Sequence, residues 1–453
     1  MLKFLKRSLT PEQLEEIEKR VIQEAEAGRD EAALRELQPL IRTQRHQKEA
    51  AIRLCRLVER RYLPIETGLT VLADVEAAYP DEIEILALIG ESVEGARDVD
   101  QLNIEPPDHP MFFSVVEKLD RAAKEARGQE LEPRILAGLS TAARMLARQR
   151  DEIAEQSYRR LIELDPENSS YHYNLGLFLK TRGQFAEGMR ANQAAARLVQ
   201  EPVDSYEWNL GICATGAGEG AVALDVWKRM GQKIEMGRFD LPEGGYPQCK
   251  VRLAERPLAE RDAESDEPGL EETIWIQRLS PCHGIVRSVL YQDLGVDYGD
   301  VVLIDGAPIT YHTYGEQQIP VFPHLATLMR RNYQFFDFAG TQQEAGQLAD
   351  ISGELDEDAI VYSHTESFEV LCATCWRDPD VDHERHDEEE KHVVTGRIAM
   401  PPHCDAVRLL REIDEGISKR EQCSIYVPDL CEAVGLKDRA AVEQRRFNLL
   451  RNN

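Results

Sequence analysis

The 453-residue chain has no long apolar run. Its longest stretch free of Asp, Glu, Lys and Arg is Gln317–Met329, 13 residues with two prolines. That is too short and too broken to cross a bilayer as a helix. Positive charge is scarce as well: 54 Lys and Arg stand against 82 Asp and Glu, a formal charge of −28. Such a field repels phosphate and excludes the dense cationic face that nonspecific nucleic-acid binding needs. The deficit is uneven, −9 over residues 1–250 and −19 over 251–453. Nine cysteines, an odd number scattered through apolar surroundings, fit a reducing cytoplasm better than a disulfide framework. The charged start, Met1-Leu-Lys-Phe-Leu-Lys-Arg7, lacks the apolar core of a signal peptide. Also missing are a G-x-S-x-G elbow and a G-x-x-x-x-G-K phosphate loop, and no carboxylate pair stands out as an acid/base motif. These absences lead to the expectation of a protein that is not an enzyme, needs no cofactor, and binds a protein or peptide partner in the cytoplasm.

What is present is helical periodicity. Apolar residues recur at three and four over residues 11–250, as in Leu14, Ile17 and Val21, and in Leu34, Leu37 and Ile41. Thr10-Pro11-Glu12-Gln13 predicts a capping-box helix start. Short breakers such as Tyr79-Pro80-Asp81 and Asp165-Pro166-Glu167-Asn168 divide the run into antiparallel helix pairs.

One pair repeats. Tyr171-His-Tyr-Asn-Leu-Gly176 matches Tyr206-Glu-Trp-Asn-Leu-Gly211, 35 residues on. Gly183 and Gly218 follow at the turn, and Gly188 and Ala223 in the second helix. This pattern resembles the tetratricopeptide repeat (TPR) family. The match is clear over about 135–237; an earlier unit, Ile135–Asn168, keeps Ala154, Tyr158 and Pro166 but has Thr141 and Ala142 where Leu-Gly belongs. The resemblance implies an all-α superhelix of helical hairpins over residues 1–250, with a concave groove lined by the first helix of each pair.

An acidic linker is expected at 251–272, where Glu255–Glu272 holds eight acidic and two basic residues. The period then falls to two, and Gly295, Gly299 and Gly306 supply turns, so 273–325 reads as a small β-rich module. Residues 326–453 read as β-α-β-β-α-β, with helices at 343–355 and 405–417. That is the order of a ferredoxin-like split βαβ unit, making the C-terminal region α+β.

Two sites emerge. Tyr173, Asn174, Leu177 and Lys180 share one helix face, and Trp208, Asn209 and Ile212 repeat it one unit later. In the resembled family such asparagines hydrogen-bond a peptide backbone, which an amide can do as donor and acceptor. The alternative is that Tyr173 and Trp208 pack between repeats and the asparagines serve local backbone. The rival chemistry is a metal- or thiol-dependent enzyme: Cys372 and Cys375, with His392 at the start of the next strand, could hold zinc tetrahedrally. Against it, residues three apart on a regular strand face opposite ways, and two packed apolar thiols are the default. Cys282 beside His283 does not make a relay, since strand neighbours also diverge. A basic stripe, Arg42 to Arg61, reads as a solvated face with helical ion pairs.

Overall fold

A computed structural model describes residues 8–96, 110–262, 267–355, 358–372 and 388–451. The chain divides into two compact units. The first comprises 1–271, 279–283 and 303–326; the second comprises 272–278, 284–302 and 327–453.

In the first unit the helices run in pairs: α1 (Pro11–Glu26), α2 (Asp30–Thr43), α3 (Lys48–Glu59), α4 (Ile65–Ala78), α5 (Ile83–Ser92), α6 (Pro110–Glu125), α7 (Glu132–Met145), α8 (Asp151–Leu164), α9 (Ser169–Thr181), α10 (Phe185–Arg197), α11 (Asp204–Gly216) and α12 (Gly220–Arg229). The expected cap opens α1: Thr10 Oγ1 accepts from the Gln13 amide at 3.3 Å, and Gln13 Oε1 accepts from the Thr10 amide at 2.9 Å. The stripe Leu14, Ile17, Val21 is buried. Its apolar faces join one core running from Leu14 to Ala191.

The 35-residue repeat is geometric as well as verbal. Helices α9 and α11 are each 13 residues long and start 35 positions apart. Leu175 and Leu210 are both buried at the same place in their helices. So are the glycines beside them. A Cβ at Gly176 would meet the side chain of Asn192 on α10, and one at Gly211 would meet the indole of Trp227 on α12. Each pair therefore crosses where only a hydrogen fits, and the second helix fills the gap.

The helical run stops at Arg229, not at residue 250. Between 231 and 247 stand four glycines and two prolines, too many breakers for a helix. Instead β1 (Ile234–Met236) pairs antiparallel with β2 (Pro242–Gly244). The expected linker is also corrected. β3 (Cys249–Ala254) is an inward-facing strand, paired in parallel with β8 (Gln317–Met329) at Lys250–Val321 and Val251–Phe322. Leu258 and Arg261 are buried, and Arg148 donates to the carbonyl oxygens of Leu258 and Arg261. Charge averaged over the window hid these inward residues. β7 (Thr310–Tyr314) closes a hairpin with β8 across Gly315, whose φ of +60° suits glycine. Just before it lies β6 (Val301–Ile304).

In the second unit, β4 (Glu271–Arg278) pairs antiparallel with β5 (His283–Val286) over 276–278 and 284–286. A four-stranded antiparallel sheet follows, built from β9 (Gln334–Gln342), β10 (Ile360–Cys372), β11 (Glu388–Met400) and β12 (Ser424–Tyr426) in the order β10-β11-β9-β12. Its core packs Phe338, Val361 and Ile398 with Leu409, Leu410 and Ile413 of α13 (Ala406–Ser418). The helix expected at 343–355 is only a 3-10 segment, Ala349–Glu354, because Gly346 takes a φ of +85° and breaks the turn. Two further helices, α14 (Pro428–Ala433) and α15 (Lys437–Arg451), end the chain and were not foreseen.

Because Trp227 is fully buried and cannot swing aside, Gly211→Ala should destabilise the protein by about 1–3 kcal/mol, the usual range for overpacking. Urea unfolding followed by circular dichroism checks this.

Candidate partner-binding site

Helices α9 and α11 lie against each other in the first unit. Their shared face forms one wall of an open cleft of about 480 Å³, lined by Tyr173, Leu177, Lys180, Asp204, Ser205, Trp208 and Asn209. The facing wall is the chain's own: Leu258, the turn 305–309 and Pro323. Aromatic pairs stiffen the helical wall. Tyr173 stacks on Tyr206 with centroids 4.8 Å apart, and Trp208 meets Trp227 edge-on at 5.3 Å.

The polar centre of the cleft is Lys180. The residue is 3% exposed; its ammonium donates to Asn209 Oδ1 at 3.0 Å and bridges both oxygens of Asp305 at 3.0 and 2.8 Å. Asp305 also accepts from the Gly306 amide at 2.7 Å. Gly306 sits against Trp208, where a Cβ would collide with indole Nε1.

Five of the seven residues expected to grip a partner therefore come together: Tyr173, Leu177, Lys180, Trp208 and Asn209. Two do not. Ile212 has no exposed surface and belongs to the packed interior, since the helix face closes beyond Asn209. Asn174 is half-buried and does not line the cleft. The two asparagines are thus not equivalent: Asn209 is spent on Lys180. Sequence reasoning missed the opposite wall. Asp305-Gly306 does read as a turn, but nothing in the local pattern says that it meets a helix 125 residues earlier.

The expected metal ligands do not converge in what is described. Cys375 lies outside the described residues. Cys372 pairs with Glu388 and His392 with Phe368, four register steps apart, or roughly 13 Å along the ladder at about 3.3 Å per residue. The strands run further than expected, so His392 sits inside the ladder and not at its start. Its Nδ1 lies 3.3 Å from Glu366 Oε1. Among the described residues no group of three or more His, Cys, Asp or Glu is placed to hold a metal ion.

Ser280, Cys282 and His283 form a buried turn ahead of β5. Ser280 Oγ accepts from the amides of Cys282 and His283 at 3.1 Å each, and lies 2.6 Å from His283 Nδ1. Cys282 donates to Thr215 Oγ1 at 3.4 Å. His283 Nε2 is buried, with no hydrogen-bond partner among the described residues. Burial drives the His283 pKa down to about 4, so the ring is neutral at pH 7. Three members of the basic stripe are ion-paired within the helical unit: Arg45 with Asp74, Lys48 with Glu82 and Glu84, and Arg53 with Glu18 and Glu49.

No family model and no curated protein matches the chain. Among solved structures, two MamA crystal structures are similar at 17% identity with a TM-score of 0.27; both span 36% of this chain, and they cover 80% and 85% of their own. A third MamA structure spans 49% of this chain and 92% of its own at a TM-score of 0.24.

Two outcomes follow from the buried groups. Lys180→Met leaves Asp305 without its countercharge and should destabilise the protein by about 3 kcal/mol. Asp305→Asn should do likewise, and the double mutant should lose less than the sum, as read by a urea double-mutant cycle. For His283, the folded pKa lies below the unfolded value, so the unfolded state takes up a proton first as pH falls. Stability is full above about pH 6.5 and declines towards pH 4, by about 3 kcal/mol for this group. Denaturant midpoints of wild type and His283→Asn, measured from pH 7 to 4, should converge as pH falls.

Proposed function

We propose that this chain is a non-catalytic interaction scaffold whose stacked helix pairs, similar to tetratricopeptide repeats, bind a segment of a protein partner in the α9/α11 cleft. The observation that carries this reading is the open cleft itself. Tyr173, Leu177 and Trp208 leave an apolar, partly exposed wall beside a paired but polar centre, on helices packed against their neighbours. Preformed walls lower the ordering cost of association. A partner segment would insert an apolar side chain among these three residues, with backbone polar groups near Asn209 and Ser205.

The second unit is read as an α+β split βαβ module of ferredoxin-like order that orients or assembles the scaffold. Its strand order, β10-β11-β9-β12, supports this. A cytoplasmic setting is proposed because, among the described residues, Cys55, Cys213 and Cys431 are buried thiols outside any disulfide. No helix among the described residues is long and apolar enough to cross a membrane.

The test is site-specific photocrosslinking in the native host with benzoylphenylalanine at Leu177. A discrete protein adduct, reduced about tenfold or more by Tyr173→Ala and Trp208→Ala in folded protein, is expected for a cleft whose anchors carry binding. Undiminished adduct formation in both variants contradicts the assignment.

A further inference from the structure

The cleft is already half-filled, and by the chain itself. Resting on the partner-binding reading above, we propose that the turn 305–308 is a built-in competitor: it occupies the Lys180 end of the groove until a partner segment bearing its own carboxylate takes its place.

Three observations point the same way. The first is chemical. The Lys180 ammonium is buried, and among the described residues its hydrogen-bond and ion-pair partners are Asn209 and Asp305. Asn209 is neutral, so Asp305 is the countercharge. A buried ammonium without an anion is strongly disfavoured, so whatever displaces the turn must deliver one to the same spot. An acidic side chain or a chain-terminal carboxylate meets that demand; an apolar or basic segment does not.

The second is steric. Gly306 sits against the indole of Trp208 with no room for a side chain. Trp208 is one of the groove's own anchors, so the turn covers the surface a partner would use. Ala307 and Pro308 line the same cleft. The turn and a partner segment cannot hold Trp208 and Lys180 together.

The third is mechanical. The turn is pinned by backbone hydrogen bonds at both ends, and between them chiefly by the Asp305–Lys180 pair. The Ile304 amide donates to the Cys282 carbonyl at 2.8 Å, and the Ile309 amide donates to the Val321 carbonyl at 2.8 Å. Four residues between two fixed points can lift off without unravelling the strands. The same tether keeps the turn at high effective concentration when it is down. A free segment then sees an affinity reduced by the fraction of time the turn is up.

The experiment uses the full chain and a defined probe, a fluorescein-labelled peptide with the sequence of residues 302–311, Val-Leu-Ile-Asp-Gly-Ala-Pro-Ile-Thr-Tyr. Gly306→Ala drives the turn off Trp208 while leaving every residue of the helical wall in place. Fluorescence polarisation should show the peptide binding Gly306→Ala at least about tenfold more tightly than wild type. The same peptide with Asn for Asp should fail to bind, and adding Lys180→Met to Gly306→Ala should return binding to the wild-type level. If Gly306→Ala does not fold, Asp305→Asn provides the same opened groove and the same expected gain. Equal binding by wild type and the opened variant overturns the competitor, as does no binding by either. The Leu177 crosslink reports separately on the groove: an adduct there with no latch effect leaves the partner site standing, and a latch effect with no adduct does the reverse.

Discussion

A buried ammonium must keep a countercharge, and in this molecule that requirement ties two distant stretches of chain together. Lys180 lies in α9 of the helical repeats, while Asp305 lies past β6, 125 residues later. Neither Asn209 nor solvent can replace the carboxylate at a site so poorly exposed. That pair anchors the 305–308 turn beside the cleft, where Gly306 sits against Trp208.

The repeats set the stage for it by close approach. At Gly176 and Gly211 a missing side chain lets the partner helix press in, and Asn192 and Trp227 fill the space. The two crossings place α9 and α11 in matching attitudes, so that Tyr173 and Trp208 come to flank one cleft. The aromatic rings pack within the repeats and also line the cleft. Trp208 packs edge-on to buried Trp227 and still presents a face to the cleft.

What could be read from the sequence was local and periodic. The Thr10 cap, the 35-residue repeat, the buried Leu175 and Leu210, and five cleft residues were legible because neighbours within a helix or one repeat determine them. The remainder depends on contacts far apart in sequence. Ile212 has the right spacing for the groove, yet the face closes beyond Asn209. Cys249–Ala254 and Leu258 lie in or beside an acidic stretch, yet most of them are buried, because distant parts of the chain cover them whatever the average charge around them. Gly346 was enough to stop a helix that the apolar spacing of Ala345, Leu348 and Leu355 suggested. The turn at Asp305-Gly306 was recognisable as a turn, but its seat on α9 and α11 was not, since no short-range pattern encodes a partner 125 residues away.

The most direct check of the self-occupied groove is a nuclear Overhauser measurement on the full chain carrying ¹⁵N-labelled tryptophan and ¹³C-labelled glycine, with the Trp208 signal assigned through Trp208→Phe. A strong cross-peak is expected between the Trp208 indole proton and the Gly306 α-protons, with slow exchange of that indole proton. A Trp208 indole with no glycine contact, exchanging as fast as one open to water, would contradict it.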